Sequence, residues 1–377
     1  MKKQIIFWII CAIVWLACGF GWMYFFQNKP SRFNNTTRKS DWDLHVLTSI
    51  DDEVLGDSMW CGTFQLVWND MVNEVVKKDV EFNPQLKIVE NLNKQTFTNK
   101  QLSPNSYYSK FWLLTLDLKE EIENWIKEKF NETSDILDQW ADWSNTPQSD
   151  NYYEWKDEKK YWFYAMLKKI FKFENVFDQL DKWKFDNKYN NVKYFWIKKA
   201  SSSKLYKQVY VYYYNSDDDF AVALKTKEWE DVILARGIWW NSFFDIYNNI
   251  LKNEQKYKWK HNFTSDDYLK VPELKVKTLT EFYELEGQEF PLAEPEWVWK
   301  IDKALQTIEL KLDKEWWEIK SEAWVTETAT NSLSIDPPEV DYRYFYFDEP
   351  YVMFLKESDK DLPYFAAQIS DITLFQN

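Results

Sequence analysis

The sequence predicts an α+β fold, because strand-like and helix-like hydrophobic patterns occupy different parts of the chain. In residues 304–312, apolar and polar side chains alternate, which is typical of a half-buried strand. Residues 351–355 are a short unbroken apolar run, as expected of a strand that is buried on both faces. Residues 118–137 instead carry apolar side chains at helical spacing.

Residues 314–340, between those two strands, form a long polar segment. Segments of this length without regular structure are uncommon in compact domains and are usually functional. Its first half nevertheless has the parity of a strand. Small or apolar residues share one parity, namely Trp317, Ile319, Ser321, Ala323 and Val325, and polar ones the other, namely Glu318, Lys320, Glu322 and Thr326. We therefore expect a segment with two possible positions, one as a loop and one within a sheet.

The composition allows a folded core and argues against a nucleic-acid partner. The chain has 377 residues, of which 45% are hydrophobic and 29% charged. Its net charge is −14, whereas binding to phosphates requires clustered Lys and Arg. We expect a monomer that binds no nucleic acid.

Residues 5–26 are an apolar run without a charge, preceded by Lys2 and Lys3. The run is long enough to span a bilayer as a helix, and the basic end should stay in the cytoplasm. We expect residues 1–27 to be a transmembrane anchor, residues 28–50 a polar tether, and residues 51–377 a single extracytoplasmic domain. The alternative is a cleaved signal segment and a secreted protein.

Periodicity and turn residues predict the remaining elements. Helices are expected at residues 64–76, 118–137 and 241–251, and strands at residues 208–214 and 220–224.

The order of these segments resembles that of the serpins, a family of serine protease inhibitors. Pro337-Pro338-Glu339-Val340 and Glu349-Pro350-Tyr351-Val352-Met353-Phe354 are similar to the Pro-Pro-Glu-Val and (Arg/Lys)-Pro-Phe-(Leu/Val)-Phe stretches of antitrypsin-type members. Residues 122–137, which include Trp125, resemble a serpin helix with Trp at that position. Residues 161–177 and 269–276 resemble strand-forming serpin segments, so the resemblance implies strands there. The similar segments occur in the same order as in serpins from about residue 118 to 375. The resemblance is to a divergent, bacterial-type member of the family.

The resemblance implies large mixed or antiparallel sheets, helices packed around them, and an exposed reactive loop at about residues 316–340. It also implies a mechanism, in which a serine or cysteine protease cleaves the loop and the freed first half enters the main sheet. The flanking pattern places the scissile bond at Leu333–Ser334, and counting from the hinge places it near Thr330–Asn331. The hinge would consist of Glu315, Trp316, Trp317 and Glu318.

Tryptophan and glycine occur in unusual numbers, 23 and 6 respectively, where roughly 26 glycines are expected at about 7% of residues. We hypothesise that the organism reads UGA as glycine, so that many of these tryptophans are glycines in its own protein. Trp229 lies where a turn needs glycine, and Trp316 and Trp317 lie where the serpin hinge carries it.

Other chemistry finds little support in the sequence. The chain has 2 histidines and lacks a Cys-x-x-Cys motif, so we expect no metal site, no cofactor and no catalytic residue. Gly56-Asp57-Ser58-Met59 is similar to the nucleophile motif of Gly-Asp-Ser hydrolases, which leaves a hydrolase that uses Ser58 as one alternative. A non-inhibitory surface or binding protein of serpin fold is the other, because Ile319, Lys320 and Glu322 replace small loop residues.

Overall fold

The computed structural model describes residues 44–130, 137–139, 143–150, 159–199, 201–238, 241–258, 261–291, 298–314 and 342–376. The chain divides into two compact units, residues 1–39 and residues 40–377, and every described residue belongs to the second. The predicted membrane span lies outside the described residues. No described helix is long and apolar enough to cross a membrane.

The largest sheet has seven strands in the order β1-β2-β16-β15-β9-β8-β7. These strands are β1 (His45–Leu47), β2 (Ser58–Cys61), β7 (Val209–Ser216), β8 (Asp219–Lys225), β9 (Glu230–Arg236), β15 (Tyr351–Glu357) and β16 (Phe365–Ile369). Every residue of β15 is buried, as its unbroken apolar run predicts.

The second sheet has four strands in the order β14-β10-β6-β5. They are β5 (Asp178–Phe185), β6 (Tyr189–Ile197), β10 (Asp267–Pro272) and β14 (Arg343–Tyr346). The third sheet has five strands, β11-β13-β4-β3 in order with β12 also paired to β13. They are β3 (Tyr107–Leu113), β4 (Lys159–Ile170), β11 (Leu274–Glu281), β12 (Glu289–Pro291) and β13 (Val298–Leu312).

The structure also describes five α-helices. They are α1 (Thr63–Asp70), which continues as a π-helical turn over Met71–Val76, then α2 (Lys87–Asn93), α3 (Leu116–Phe130), α4 (Ser203–Tyr206) and α5 (Phe243–Lys256). Short 3-10 turns cover Pro104–Ser106, Leu137–Gln139, Trp143–Asn145 and Ile372–Phe375. Three sheets with helices packed on them confirm the predicted α+β class.

Helices cover both faces of the five-stranded sheet. On one face, Leu118, Ile122 and Ile126 of α3 share a buried cluster with β4 and β13. On the other face, apolar residues of α1 pack against Phe163 of β4 and Ala304 of β13. The inward stripe predicted for α3 is therefore present, and both faces of the sheet's centre are dry.

Several predicted boundaries differ from the structure. The strand predicted at 269–276 is two strands in two different sheets, because the chain leaves β10 at Glu273 before β11 begins. The strand predicted at 161–177 ends at Ile170, although Phe171, Phe173 and Phe177 are buried without strand pairing. Hydrophobic period alone cannot distinguish a buried strand from a buried loop.

The predicted tether is shorter than residues 28–50, because His45–Leu47 pairs in parallel with Ser58–Trp60. A strand of three residues is too short to show a period in the sequence. Helix α3 is described to Phe130, so the end predicted at residue 137 is not reached by a continuous described helix.

Trp229, in the turn between β8 and β9, has an unfavourable backbone conformation. Its φ is 61°, in the left-handed region that glycine adopts most readily. Its side chain is 82% exposed, so the indole is not buried in a way that would offset this strain. The predicted need for glycine in this turn agrees with the backbone at this residue.

We expect Trp229→Gly to raise the free energy of unfolding by about 1 kcal/mol, because glycine removes the left-handed strain and little packing is lost. Urea denaturation measures this change. Trp229→Ala is the matched control, since it removes the same indole but keeps a Cβ atom. If alanine stabilised the protein as much as glycine, the backbone explanation would be wrong.

Candidate functional site

The five-stranded sheet has one parallel pair among its described strands, β4 with β13, at its centre. The outer pairs β3–β4 and β11–β13 are antiparallel. We call the β4–β13 boundary the seam. A strand that entered the seam antiparallel to both neighbours would make these pairings antiparallel throughout, and antiparallel pairing is slightly more stable per residue.

The seam is long and nearly regular. Its register runs from Trp299 opposite Lys159 to Lys311 opposite Ile170, with one irregularity between Ile301 and Lys303. The backbone N–H of Phe171 donates to the oxygen of Lys311 at 3.1 Å, which extends the pairing past the end of β4.

The long polar segment connects two different sheets. Strand β13 ends at Leu312 in the five-stranded sheet, the described chain stops at Lys314, and β14 begins at Arg343 in the four-stranded sheet. The predicted hinge and scissile residues lie outside the described residues: Glu315, Trp316, Trp317, Glu318, Thr330, Asn331, Leu333 and Ser334. Their roles therefore stay predictions, while the two ends of the segment are defined.

The distal end of the segment is held by a buried ion pair. The Nε and Nη2 atoms of Arg343 donate to the two carboxylate oxygens of Asp267, at 2.7 Å each. Nη1 donates to the hydroxyl of Tyr257 at 3.0 Å. Burial opposes the charge on Arg343, but the bonds to Asp267 raise the pKa of the guanidinium. A bidentate pair of this kind is among the stronger side-chain contacts and fixes the start of β14.

Side chains cross the seam on the face that α3 covers. The indole N–H of Trp162 on β4 donates to Asp302 on β13 at 2.9 Å. Closer to the far end, Nζ of Lys168 on β4 lies 3.1 Å from a carboxylate oxygen of Glu309 on β13. These contacts would break if the two strands separated.

On the opposite face, Gln306 ties β13 to the start of α1. The side chain of Gln306 is fully buried, and its amide donates to the oxygen of Cys61 at 3.1 Å and to the hydroxyl of Thr63 at 3.0 Å. Burial raises the pKa of the Cys61 thiol to about 11, so this cysteine is a neutral small side chain at pH 7.

A cluster of two carboxyls and one lysine lies beside the irregular end of the seam. Lys303 on β13 binds Glu281, and its Nζ is 3.1 Å from a carboxylate oxygen of Glu286. Burial, with the neighbouring Glu281, raises the pKa of Glu286 from 4.5 to about 7. Burial acts in the same sense on Glu281, but bonds from Glu286 and Lys303 keep its pKa lowered. Glu286 therefore keeps its proton to a higher pH than Glu281 does.

Ser58 does not have the geometry of an activated nucleophile. It is fully buried in β2, its hydroxyl donates to the oxygen of Leu55 at 3.0 Å, and it accepts the N–H of Leu55 at 3.2 Å. His45 stands opposite Ser58 in the register of β1 and β2, a proximity that the sequence missed by assigning His45 to the tether. Within the described ranges no hydrogen bond joins Ser58 to a histidine, and Nδ1 of His261 donates to the oxygen of Val211 at 2.8 Å.

No group of three or more metal-ligating side chains is present in the part of the chain that the structure describes. Three consecutive aspartates lie at residues 217–219, and Oδ1 of Asp218 lies 2.8 Å from Nη2 of Arg236.

No family model matches the sequence, and no curated protein matches it. Solved structures that resemble the chain are serpins. Serpin48 of the insect Tenebrio molitor is 10% identical, with a TM-score of 0.47 over 84% of this chain and 92% of that one. The serine protease inhibitor (serpin)-12 of Manduca sexta is 11% identical, with a TM-score of 0.48 over 85% and 94%.

Uncleaved ovalbumin is 10% identical, with a TM-score of 0.45 over 83% of this chain and 93% of that one. Each of these is a structure to which this chain is similar. The described part of the chain has the large mixed and antiparallel sheets, with helices packed on them, that the sequence resemblance implies.

The residues that hold the seam and the distal end of the loop carry no local signal that would predict these roles from the sequence. Lys168 is a charged residue within an apolar strand, and a charged residue in such a position is usually paired with an opposite charge. The sequence does not show that the partner of Lys168 is Glu309 or that Gln306 bonds to Thr63. Local patterns carry no information on contacts between distant parts of the chain.

We expect Glu286→Gln to stabilise the protein at pH 8 by about 1 kcal/mol and to have little effect at pH 5. The raised pKa means that folded Glu286 keeps a proton, so the stability it contributes is present below pH 4.5 and is lost as pH rises through about 7. Glutamine imitates the protonated form at every pH. The expected gain of about 1 kcal/mol is smaller than the free energy that corresponds to the whole pKa shift, because Glu286 is partly solvated.

The melting temperatures of the variant and the unchanged protein, measured as a function of pH, test this effect. Glu284→Gln is the control, because Glu284 is an exposed residue of the same turn. An equal gain for both variants, or a gain at pH 5 as large as that at pH 8, would contradict the assignment.

Proposed function

We propose that the chain is a serpin-type protease inhibitor whose reactive loop, residues 316–340, enters the seam after cleavage. The observation that carries the proposal is the parallel seam itself, directly continuous with the start of the loop. A chain that turns back after Leu312 runs antiparallel to both β13 and β4, which is the orientation the seam can accept.

The inhibitory step follows acyl-transfer chemistry. The serine or cysteine nucleophile of the target protease attacks the carbonyl carbon of Leu333, the Leu333–Ser334 bond breaks, and the amine of Ser334 leaves with a proton. Leu333 then remains as an acyl-enzyme on the protease. Insertion of the loop's first half moves that ester away before water can hydrolyse it.

The driving force is new backbone pairing. Each hydrogen bond gained is worth about 1 kcal/mol net, and a strand in the centre of the sheet pairs on both sides, which replaces the bonds lost between β4 and β13 and adds a second set. The small or apolar parity of the loop, with Ser321, Ala323 and Val325, suits one face of an interior strand. The ion pair of Arg343 suits a distal end that stays in place while the proximal half moves.

We place the protein at a membrane, anchored by residues 5–26 with the domain on the extracytoplasmic side, or secreted if that segment is cleaved. Proteases are the expected partners, and no cofactor is needed. The composition and the apolar N-terminal run support this placement.

We also propose that positions 229, 316 and 317 are glycine in the organism's own protein. Glycine at the hinge would let the chain turn back into the seam, whereas the bulk of Trp317 would hinder it. The codons at these positions test the idea directly, and UGG at all of them would refute it.

When the full chain is incubated with chymotrypsin-like or subtilisin-like proteases, we expect an adduct that survives denaturing electrophoresis. The cleaved fraction should melt more than about 10 °C higher than the intact chain, because about ten new hydrogen bonds are gained. Protease with a blocked nucleophile is the control.

Cleavage of the loop without an adduct and without a thermal gain would favour the non-inhibitory alternative. Esterase activity that is lost on Ser58→Ala would favour the hydrolase.

We expect a disulfide across the seam to abolish the thermal gain. Met166 and Thr307 are paired in register, and adjacent strands lie about 4.8 Å apart, within the range of Cα separations that a disulfide spans. Met166→Cys combined with Thr307→Cys should block insertion when oxidised and allow it when reduced. The reduced form of the same protein is the control, and insertion in the oxidised form would contradict a route through this seam.

A further inference from the structure

Lys168 is a nearly buried charge that bridges the seam. Its side chain is 2% exposed, and its register partner on β13 is Glu309, whose side chain is 25% exposed. The Nζ atom lies 3.1 Å from the carboxylate and 5.1 Å from the ring centroid of Phe130, at the end of α3. This carboxylate and this ring both stabilise the desolvated ammonium.

The pair lies near the end of the seam from which β13 leaves the sheet. Only Leu310, Lys311 and Leu312 of β13 follow Glu309 before the strand ends. A segment that turns back after β13 meets this end of the seam first. Separation of Lys168 from Glu309 must therefore precede entry of all but the first residues of a new strand.

The next residue, Lys169, has a different set of partners. Its ammonium binds Glu230 of β9 and donates to the hydroxyl of Ser106 at 3.1 Å. Glu230 also accepts the hydroxyl of Tyr364 at 3.3 Å, and burial raises the pKa of Glu230 although Lys169 opposes this. These contacts join β4 to the seven-stranded sheet and do not cross the seam, so separation of β4 from β13 leaves them intact.

We infer that the Lys168–Glu309 ion pair is the latch that sets how fast a strand enters the seam, an inference that rests on the proposed function. The closed seam is stabilised by the pair, and the opened seam has lost it. Lys168→Met keeps an apolar stem but lacks the ammonium group, so it removes the attraction across the seam together with the contact of Nζ with the ring of Phe130. Glu309 can then be hydrated because it is partly exposed.

The test uses a fluorescein-labelled synthetic peptide with the sequence of residues 318–330, added to the uncleaved full chain. Fluorescence anisotropy gives the rate at which the peptide is taken up. We expect Lys168→Met to raise this rate about tenfold over that of the unchanged protein. Lys169→Met is the matched control, a neighbour of the same chemistry whose partners lie off the seam, and it should lower the melting temperature without changing the rate.

A second variant keeps the inference falsifiable if Lys168→Met folds poorly. Lys168→Glu combined with Glu309→Lys rebuilds the pair in reverse and should return the rate to within about threefold of the unchanged protein. Uptake at the same rate in the unchanged protein and in Lys168→Met would overturn the latch alone. No uptake by any variant, together with no thermal gain on loop cleavage, would overturn the proposed function.

Discussion

The parallel pairing of β4 with β13 is the constraint on which the rest of the structure depends. Its neighbours in the sheet are antiparallel, and a connection back along β13 is the simplest way to make the centre of the sheet antiparallel as well. The chain that follows β13 is long enough and suitably patterned for this. Under the proposed function, the closed seam has less backbone pairing than the same sheet with a strand inserted between β4 and β13.

The polar contacts around the seam fall into two groups with different consequences. Gln306, Lys169 and Arg343 bind residues that do not lie across the seam, so they hold the two strands and the distal end of the loop to the body of the protein. Lys168 with Glu309, and Trp162 with Asp302, join the two strands to each other. In the proposed mechanism, the first group stays intact during insertion and the second must break.

The local parts of this arrangement were predictable from the sequence. The alternation of residues 304–312 placed Ile308, Leu310 and Leu312 on one face, and the structure buries all three. The strand is not half-buried as predicted, because helices cover both faces of its sheet and Thr307 on the other face is buried as well. The apolar run of β15 and the stripe of α3 were found in the same way, because each pattern lies within one element. The nonlocal parts were not predictable, since nothing in β13 states that its partner is β4 or that the pairing is parallel. The break at Glu273 and the pairing of His45 with Ser58 were missed for the same reason, since each is decided by a distant strand.

The most direct test of the central claim is a crystal structure of the chain after cleavage of residues 316–340. The account predicts that the first half of the loop lies between β4 and β13, so that the Cα atoms of the paired residues Ala165 and Gln306 move from about one strand spacing, 4.8 Å, to about two. If Ala165 and Gln306 were still adjacent in the cleaved protein, with the loop outside the sheet, the account would be wrong.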